Sequence, residues 1–369
     1  MSATHLYVHL PFCAHRCGYC DFVTAVGRRP QHAAYTEALL AELSLERAEL
    51  APELETIFLG GGTPSFTESG ALERLLSGLP AAAEVTVEAN PETVTVALAR
   101  LLARNGVTRV SLGVQSFQRH LLAVLDRLAG PEDARRAVGL LREAGFDNVS
   151  LDLIYGIPGQ TGAELEGDLA DALSLEPEHI SAYELEAKPG TRFSRRHGAA
   201  LETQSQAMEH YIELVVERLT GAGYRWYETA NFCRREGQAC GRDLRSRHNL
   251  GVWLGHDYLG LGVGAVSTVG ERRWRNAASL EGYLAALAAG SAPLREREEL
   301  LPEVRATERI MLGLRLDEPL ALGELSGALD ERALARLEGL GLAARDAGTL
   351  ALTRRGRFLG DGVTASLLA

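Results

Sequence analysis

Three cysteines, Cys13, Cys17 and Cys20, are spaced C-x3-C-x2-C in the stretch from His9 to Phe22. Thiolates are soft ligands that select iron–sulfur clusters, zinc or copper(I). Three are one too few for a closed structural zinc site, whereas a cubane cluster on three protein thiolates keeps one iron open to a small molecule. The competing reading is a Cys3His zinc site completed by His15 or His9.

Further polar groups match such a centre. Gly60, Gly61 and Gly62 can bring backbone against a ligand because no Cβ intervenes, and Thr63 adds a hydroxyl. Glu88, Gln115, Arg127 and Asp152 are a mixed set suited to a ligand that bears an amine, a carboxylate and a ribose. Alone, the glycine triplet reads as a tight turn, and Arg127 or Asp152 as an ordinary surface charge or helix partner.

The elements that must position these groups follow from the apolar pattern. Short apolar runs at 6–10, 56–59, 85–88, 110–114, 149–154 and 180–184 each precede a helix-like stretch. Six such units predict an α/β fold with a parallel sheet, curved into a partial (β/α)6, TIM-like barrel. Functional groups of such barrels gather at the carboxyl ends of the strands. There the chain places the cysteine loop, Gly60 to Pro64, Glu88 to Pro91, Gln115 to Phe117, and Asp152 with Tyr155 to Pro158, all expected around one mouth.

Past residue 200 the pattern predicts a helix at 209–219 and a Gly-rich strand-and-turn region at 251–270. Helical stretches at 306–314, 322–329 and 331–340, a hairpin-like segment at 350–356 and a last helix predict a small winged-helix-like helical domain. It has no basic recognition helix and suits protein contact as well as DNA. The expected division is a core at 1–235, a connecting segment at 236–300 and the C-terminal domain at 301–369.

At 369 residues the chain exceeds one ordinary core. Its 38 Lys and Arg against 49 Asp and Glu give a net charge of -11, which argues against a sequence-independent grip on nucleic acid without a local basic patch. The cluster Arg234, Arg235, Arg242, Arg245 and Arg247 reads as a solvated loop. No signal-peptide pattern and no apolar run of about 20 residues is present, so the expectation is a cytoplasmic protein without a transmembrane segment, compatible with transient membrane association. Five cysteines, three of them crowded together, are no disulfide framework and fit a reducing compartment.

Taken jointly, the lead Tyr7-Val-His-Leu-Pro-Phe-Cys13, the cysteine spacing, Gly60-Gly-Gly-Thr-Pro64, Glu88-Ala-Asn-Pro91, Gly113-Val-Gln-Ser-Phe117 and Asp152-Leu-Ile-Tyr-Gly-Ile-Pro-Gly-Gln-Thr161 resemble the radical S-adenosylmethionine superfamily. The resemblance is to the branch of oxygen-independent coproporphyrinogen oxidases and HemW-type heme chaperones, and it covers nearly the whole chain. It implies a [4Fe-4S] cluster on Cys13, Cys17 and Cys20, with S-adenosylmethionine on the open iron. It further implies that Tyr7, Gly61 and Glu88 contact that cofactor, while Gly62, Thr63, Gln115, Arg127 and Asp152 match positions that touch a second cofactor molecule in the oxidases. In this chain those five could instead serve the first molecule or shape the cavity.

Two departures divide the branch. The decarboxylating enzymes carry a fourth cysteine two residues after the third, where this chain has Phe22, as the chaperones have an aromatic. His248-Asn-Leu-Gly-Val-Trp253 resembles the chaperones' HNxxYW heme motif, which implies His248 as axial heme ligand; Val252 stands in place of the Tyr. Val263 and Val266 stand where chaperones often have Cys and His. Cys233 and Cys240 read as free thiols. The implied function is a heme chaperone in porphyrin metabolism, with an electron donor and a heme-accepting protein as partners. The alternatives are coproporphyrinogen III oxidation and radical methylation.

Overall fold

Along residues 5–10 polar and apolar side chains alternate: Leu6, Val8 and Leu10 are fully buried in the apolar core, while His5, Tyr7 and His9 share the opposite face. The same alternation recurs in the next strands and defines an apolar outside, packed by helices, and a polar inside. The computed structural model describes residues 2–188, 191–235 and 241–368.

The six strands are β1 (His5–Leu10), β2 (Leu54–Gly61), β3 (Ala82–Ala89), β4 (Arg109–Gln115), β5 (Val149–Tyr155) and β6 (His179–Glu184). All pair in parallel with sequential neighbours, as the β-then-α pattern predicts. Registers such as His5 with Thr56, Tyr7 with Phe58 and His9 with Gly60 align the inward residues into layers. The crossovers include α1 (His32–Leu45), α2 (Ser69–Gly78), α3 (Val96–Arg104), α4 (Pro131–Glu143) and α5 (Gly162–Ser174). Thr95 and Thr161 cap α3 and α5 by accepting from the backbone N–H of Leu98 and Glu164.

The sheet is larger than the six strands. After α6 (Met208–Gly221) come β7 (Tyr224–Glu228) and β8 (Asn231–Arg234), which continue it beyond β6. The short helix α7 (Arg247–Trp253) is followed by β9 (Tyr258–Leu261), β10 (Val266–Val269), β11 (Arg272–Asn276) and β12 (Arg295–Glu299). β9 pairs in parallel with β1, so the full order is β12-β11-β10-β9-β1-β2-β3-β4-β5-β6-β8-β7. The segment expected to be a connection thus supplies four strands of the same sheet.

The C-terminal part has its own apolar cluster around Ile310, Leu334 and Leu350. It contains α8 (Pro302–Gly313), a helix Glu331–Gly339 and a three-stranded sheet of β13 (Leu320–Ala321), β14 (Ala343–Asp346) and β15 (Thr349–Leu352). Two expectations shift here. Within residues 322–329 the chain forms a 3-10 turn, Gly323–Ala328, because Gly323 and Gly327 weaken helix there. The hairpin lies earlier than 350–356: Thr353 ends it by capping a new helix, Arg354–Phe358. Buried Glu228 in β7 accepts from Arg315 Nε at 2.7 Å and ties this part to the sheet. Among the described residues no helix is long and apolar enough to cross a membrane.

Candidate functional site

The cysteine loop leaves β1 at the carboxyl end of the strands. Cys13 is buried, Cys17 and Cys20 half-buried, and the turn closes with Cys20 N–H donating to the Cys17 carbonyl at 3.2 Å. Burial raises the Cys13 and Cys20 thiols; the Thr63 hydroxyl, 3.5 Å from Cys13 Sγ, partly offsets this at Cys13, and the neighbouring sulfurs add to the rise. Beside Cys17, Arg127 Nη1 is 3.7 Å from Sγ.

This arrangement separates the two metal readings. Among the described residues no three His, Cys, Asp or Glu side chains converge as a single ion requires. A cubane gives each thiolate its own iron and so accepts a wider spread. His9 is also committed: its Nε2–H donates to the Val23 carbonyl at 2.8 Å, leaving Nδ1 to accept from the Tyr7 hydroxyl at 3.0 Å. His15 is exposed on the loop. The donor set fits an iron–sulfur cluster better than a zinc ion.

Around the loop the sequence-predicted groups converge. At Gly61 φ is +108°, and at Gly62 an added Cβ would stand 2.6 Å from the Pro11 carbonyl, so both positions exclude side chains. Gly61 N–H donates to Glu88 Oε2 at 3.1 Å. Burial, aided by Asp152, pushes the Glu88 carboxyl up to about 7. Asp152 is likewise raised by burial and accepts from Ser111 Oγ at 3.2 Å. Gln115, at φ 69° beside a register shift in β4, lies near Gly113 and Arg127. Tyr7 faces the same interior, and burial raises its hydroxyl.

Asn90 was read in the sequence only as part of a motif, yet it links the site. Its Nδ2 donates to Thr63 Oγ1 at 3.3 Å, and its Oδ1 accepts from Arg127 Nη2 at 3.0 Å. Asp168 on α5 also escaped notice. It accepts from Ser116 Oγ and Phe117 N–H, each at 2.7 Å, and so fixes the loop after β4. Phe22 is 64 % exposed on the outer side of the cysteine loop.

His248 lies elsewhere. It is 4 % exposed and closes the opposite, amino-terminal end of the barrel. The first inward residues of the six strands are His5, Thr56, Glu84, Arg109, Ser150 and His179, all buried. His248 Nδ1 is 2.8 Å from Thr56 Oγ1, its backbone N–H donates to Glu84 Oε1 at 3.4 Å, and its ring packs 5.2 Å from that of Phe58. Burial lowers its pKa to about 3, so it is neutral. Neutrality suits an iron ligand, and the ring shares this end of the barrel with His5, 6.0 Å away between centroids. Val252 lines a cavity beside α7, Val263 is buried, and Val266 opens β10. Cys233 is buried and its thiol pushed up to about 12 by burial, an inert thiol; Cys240 falls outside the described residues. Of the arginine cluster, Arg242 pairs with Asp147, Arg245 with Asp243 and Glu318, and Arg247 with Glu55, as a solvated loop would.

Comparison with known proteins agrees with this architecture. Residues 7–172 match the model of the radical SAM superfamily, and residues 300–359 that of the HemN C-terminal domain. The chain is 39 % identical to "Heme chaperone HemW" of Mycobacterium tuberculosis, covering 98 % of this chain and 94 % of that one. It is 33 % identical to the protein of the same name from Bacillus subtilis, covering 98 % of both. Among solved structures, "Coproporphyrinogen III oxidase (HemN) from Escherichia coli" superimposes with a TM-score of 0.80 at 23 % identity, over 99 % of this chain and 90 % of that one, a likeness of fold. The chain belongs to the radical SAM superfamily and, within it, to the HemW family.

Proposed function

We propose that this protein binds heme and passes it to an acceptor protein, on a scaffold that also holds a [4Fe-4S] cluster and S-adenosylmethionine. The observation that carries the reading is likeness to proteins named heme chaperones along 98 % of the chain, with Phe22 in place of the decarboxylases' fourth cysteine. Cys13, Cys17 and Cys20 would hold the cluster. Tyr7, Gly61, Gly62, Thr63, Glu88, Gln115, Arg127 and Asp152 line the mouth beside it and would hold the cofactor. The cluster, when bound there and reduced, would supply an electron to the cofactor.

The chain's own residues perform recognisable tasks there. Glu88 as a carboxylate accepts from Gly61 N–H and can accept from the cofactor's ammonium. Arg127, held by Asn90 and the Gly113 carbonyl, presents a fixed cation to Cys17. Gly61 and Gly62 let backbone approach the ligand. The partners in this reading are a heme-accepting protein and an electron donor, and the compartment is the cytoplasm.

The test uses anaerobically purified, cluster-reconstituted protein. Stoichiometric hemin binding, followed by delivery to an apo-hemoprotein faster than free hemin exchange, is expected. Conversion of coproporphyrinogen III to protoporphyrinogen would replace this reading with the oxidase one.

A further inference from the structure

A cavity of about 690 Å³ lies between α7, strands β9 to β11 and α8 of the C-terminal part. Its volume falls within the range of about 300–1,000 Å³ of small-molecule and cofactor sites. Val252, Leu300, Leu312 and Leu325 give it apolar walls. His256, exposed in the turn after α7, lines it as well.

Two cations on the wall form no close ion pair among the described residues, although Glu308 and Glu324 also line the cavity and Arg305, after Arg273, is near enough to Glu308 to lower its carboxyl. Arg305 Nη1 donates to the Gly270 carbonyl and Arg309 Nη1 to the Trp253 carbonyl, and neither pairs with a carboxylate among the described residues. Their neighbour Arg273 is already bound by both oxygens of Glu308. An apolar slot with unpaired guanidinium groups and an imidazole at its edge complements a flat apolar ligand that carries carboxylates and a metal.

The imidazole is wired to His248. His256 Nδ1 is 3.1 Å from His5 Nε2; His5 Nδ1 is 2.8 Å from Thr56 Oγ1; Thr56 Oγ1 is 2.8 Å from His248 Nδ1. Burial lowers His5 and His248, so both are neutral. The Thr56 hydroxyl has one hydrogen and two imidazole neighbours, so it donates to one ring and accepts from the other. If it donates to His248, then His5 donates to Thr56 from Nδ1, accepts at Nε2 from His256 Nδ1–H, and leaves His256 Nε2 as a bare lone pair. If it donates to His5, every bond reverses: His256 carries its hydrogen on Nε2, and the bare nitrogen is His248 Nε2. A third arrangement, with Thr56 accepting twice, strands its hydroxyl hydrogen in a fully buried place at a cost of about 1–3 kcal/mol.

We propose that heme is bound in this cavity with iron on His256 Nε2, its propionates toward Arg305 and Arg309, and that His248 acts as a positioning residue which sets the His256 tautomer through Thr56 and His5. The proposal rests on the heme-carrier reading and names its site. Iron on His256 selects the first arrangement and so places the His248 hydrogen on Nε2.

Hemin is titrated into the full-length, cluster-loaded protein and its iron ligation followed by the Soret band and low-spin ferric resonance. His256→Ala is expected to weaken hemin binding at least tenfold and remove the imidazole signature, which added imidazole restores; His248→Ala keeps the signature. With zinc protoporphyrin, 15N shifts of His248 should report Nε2 protonated. Loss of the signature in His248→Ala but not in His256→Ala overturns the assignment while leaving the carrier reading intact, as does its retention in both variants. A His248 Nε2 that stays bare overturns the wire. Failure of the unmodified protein to bind hemin at all sinks the carrier reading and this assignment together.

Discussion

Arg127 directs its guanidinium at the middle sulfur of the cysteine loop, with Nη1 3.7 Å from Cys17 Sγ, while Nη2 is held by Asn90 at 3.0 Å. Outer partners of metal ligands typically matter by about 10–100-fold in metal affinity. Arg127→Gln should therefore lose about tenfold in cluster retention, read as iron content and visible absorption after a chelator challenge. It should also lower the cluster's reduction potential, because a cation beside the thiolate favours the more negative reduced state. An unchanged potential would show that this cation does not act on the cluster.

Glu88 should impose a pH dependence on cofactor binding. Its carboxyl is pushed up to about 7, first by burial and then by Asp152. The carboxylate is the form that accepts from an ammonium, and its population rises about tenfold from pH 6 to 8. S-adenosylmethionine should bind about tenfold more tightly at the upper pH, and Glu88→Gln should bind weakly and without this slope. Calorimetric titration at both pH values checks it. For stability the sign is reversed: a raised carboxyl favours folding below its unfolded value and loses that contribution as pH rises toward 7.

Gly62 is intolerant for a reason that no rotamer change can relieve. A Cβ there would stand 2.6 Å from the carbonyl carbon and oxygen of Pro11. Gly62→Ala should destabilise by about 1–3 kcal/mol and weaken cofactor binding. Gly70, near the start of α2 with nothing within 4 Å of its added Cβ, is the control: Gly70→Ala should be neutral or stabilise by up to about 1 kcal/mol. Urea midpoints of both variants decide.

The barrel floor should make the fold acid-labile. His5, His179 and His248 are all held neutral by burial, His248 down to about 3. Each folded value lies below the unfolded one, so below pH 6.5 the unfolded chain takes up protons that the folded one refuses. Stability falls with pH across that window, by up to about 1.4 kcal/mol per pH unit for each such ring. His248→Asn should show a shallower decline in urea midpoint between pH 6.5 and 5. An equal decline would mean that His248 is protonated in the folded state as well.

The barrel was legible because its outer half is apolar: Leu6, Val8 and Leu10, or Val110, Leu112 and Val114, stand out as β-branched or aliphatic runs. The inner half was not. His5, Glu84, Arg109 and His179 stand at the starts of strands, where polar residues read as turns, and their burial exists only once six strands close around them. The mouth was readable because Gly60 to Thr63, Glu88 and Gln115 fall where strands end. Asn90 was not, since its role depends on Arg127, a partner brought near only by folding. His248 could be found by its motif, but which end of the barrel it closes could not. His256 belongs to no motif, and only the cavity beside it gives it meaning.

His5 and the cysteine loop lie at opposite ends of β1, whose six residues span roughly 17 Å at about 3.3 Å per residue. Hydrogen abstraction by a carbon radical requires van der Waals contact, so a radical formed at the cysteine end could not strike a porphyrin lodged beneath His5. The length of a single strand would thus quarantine the cargo from the most reactive species the scaffold can generate. A protein built this way could keep both centres loaded at once without the one consuming the other.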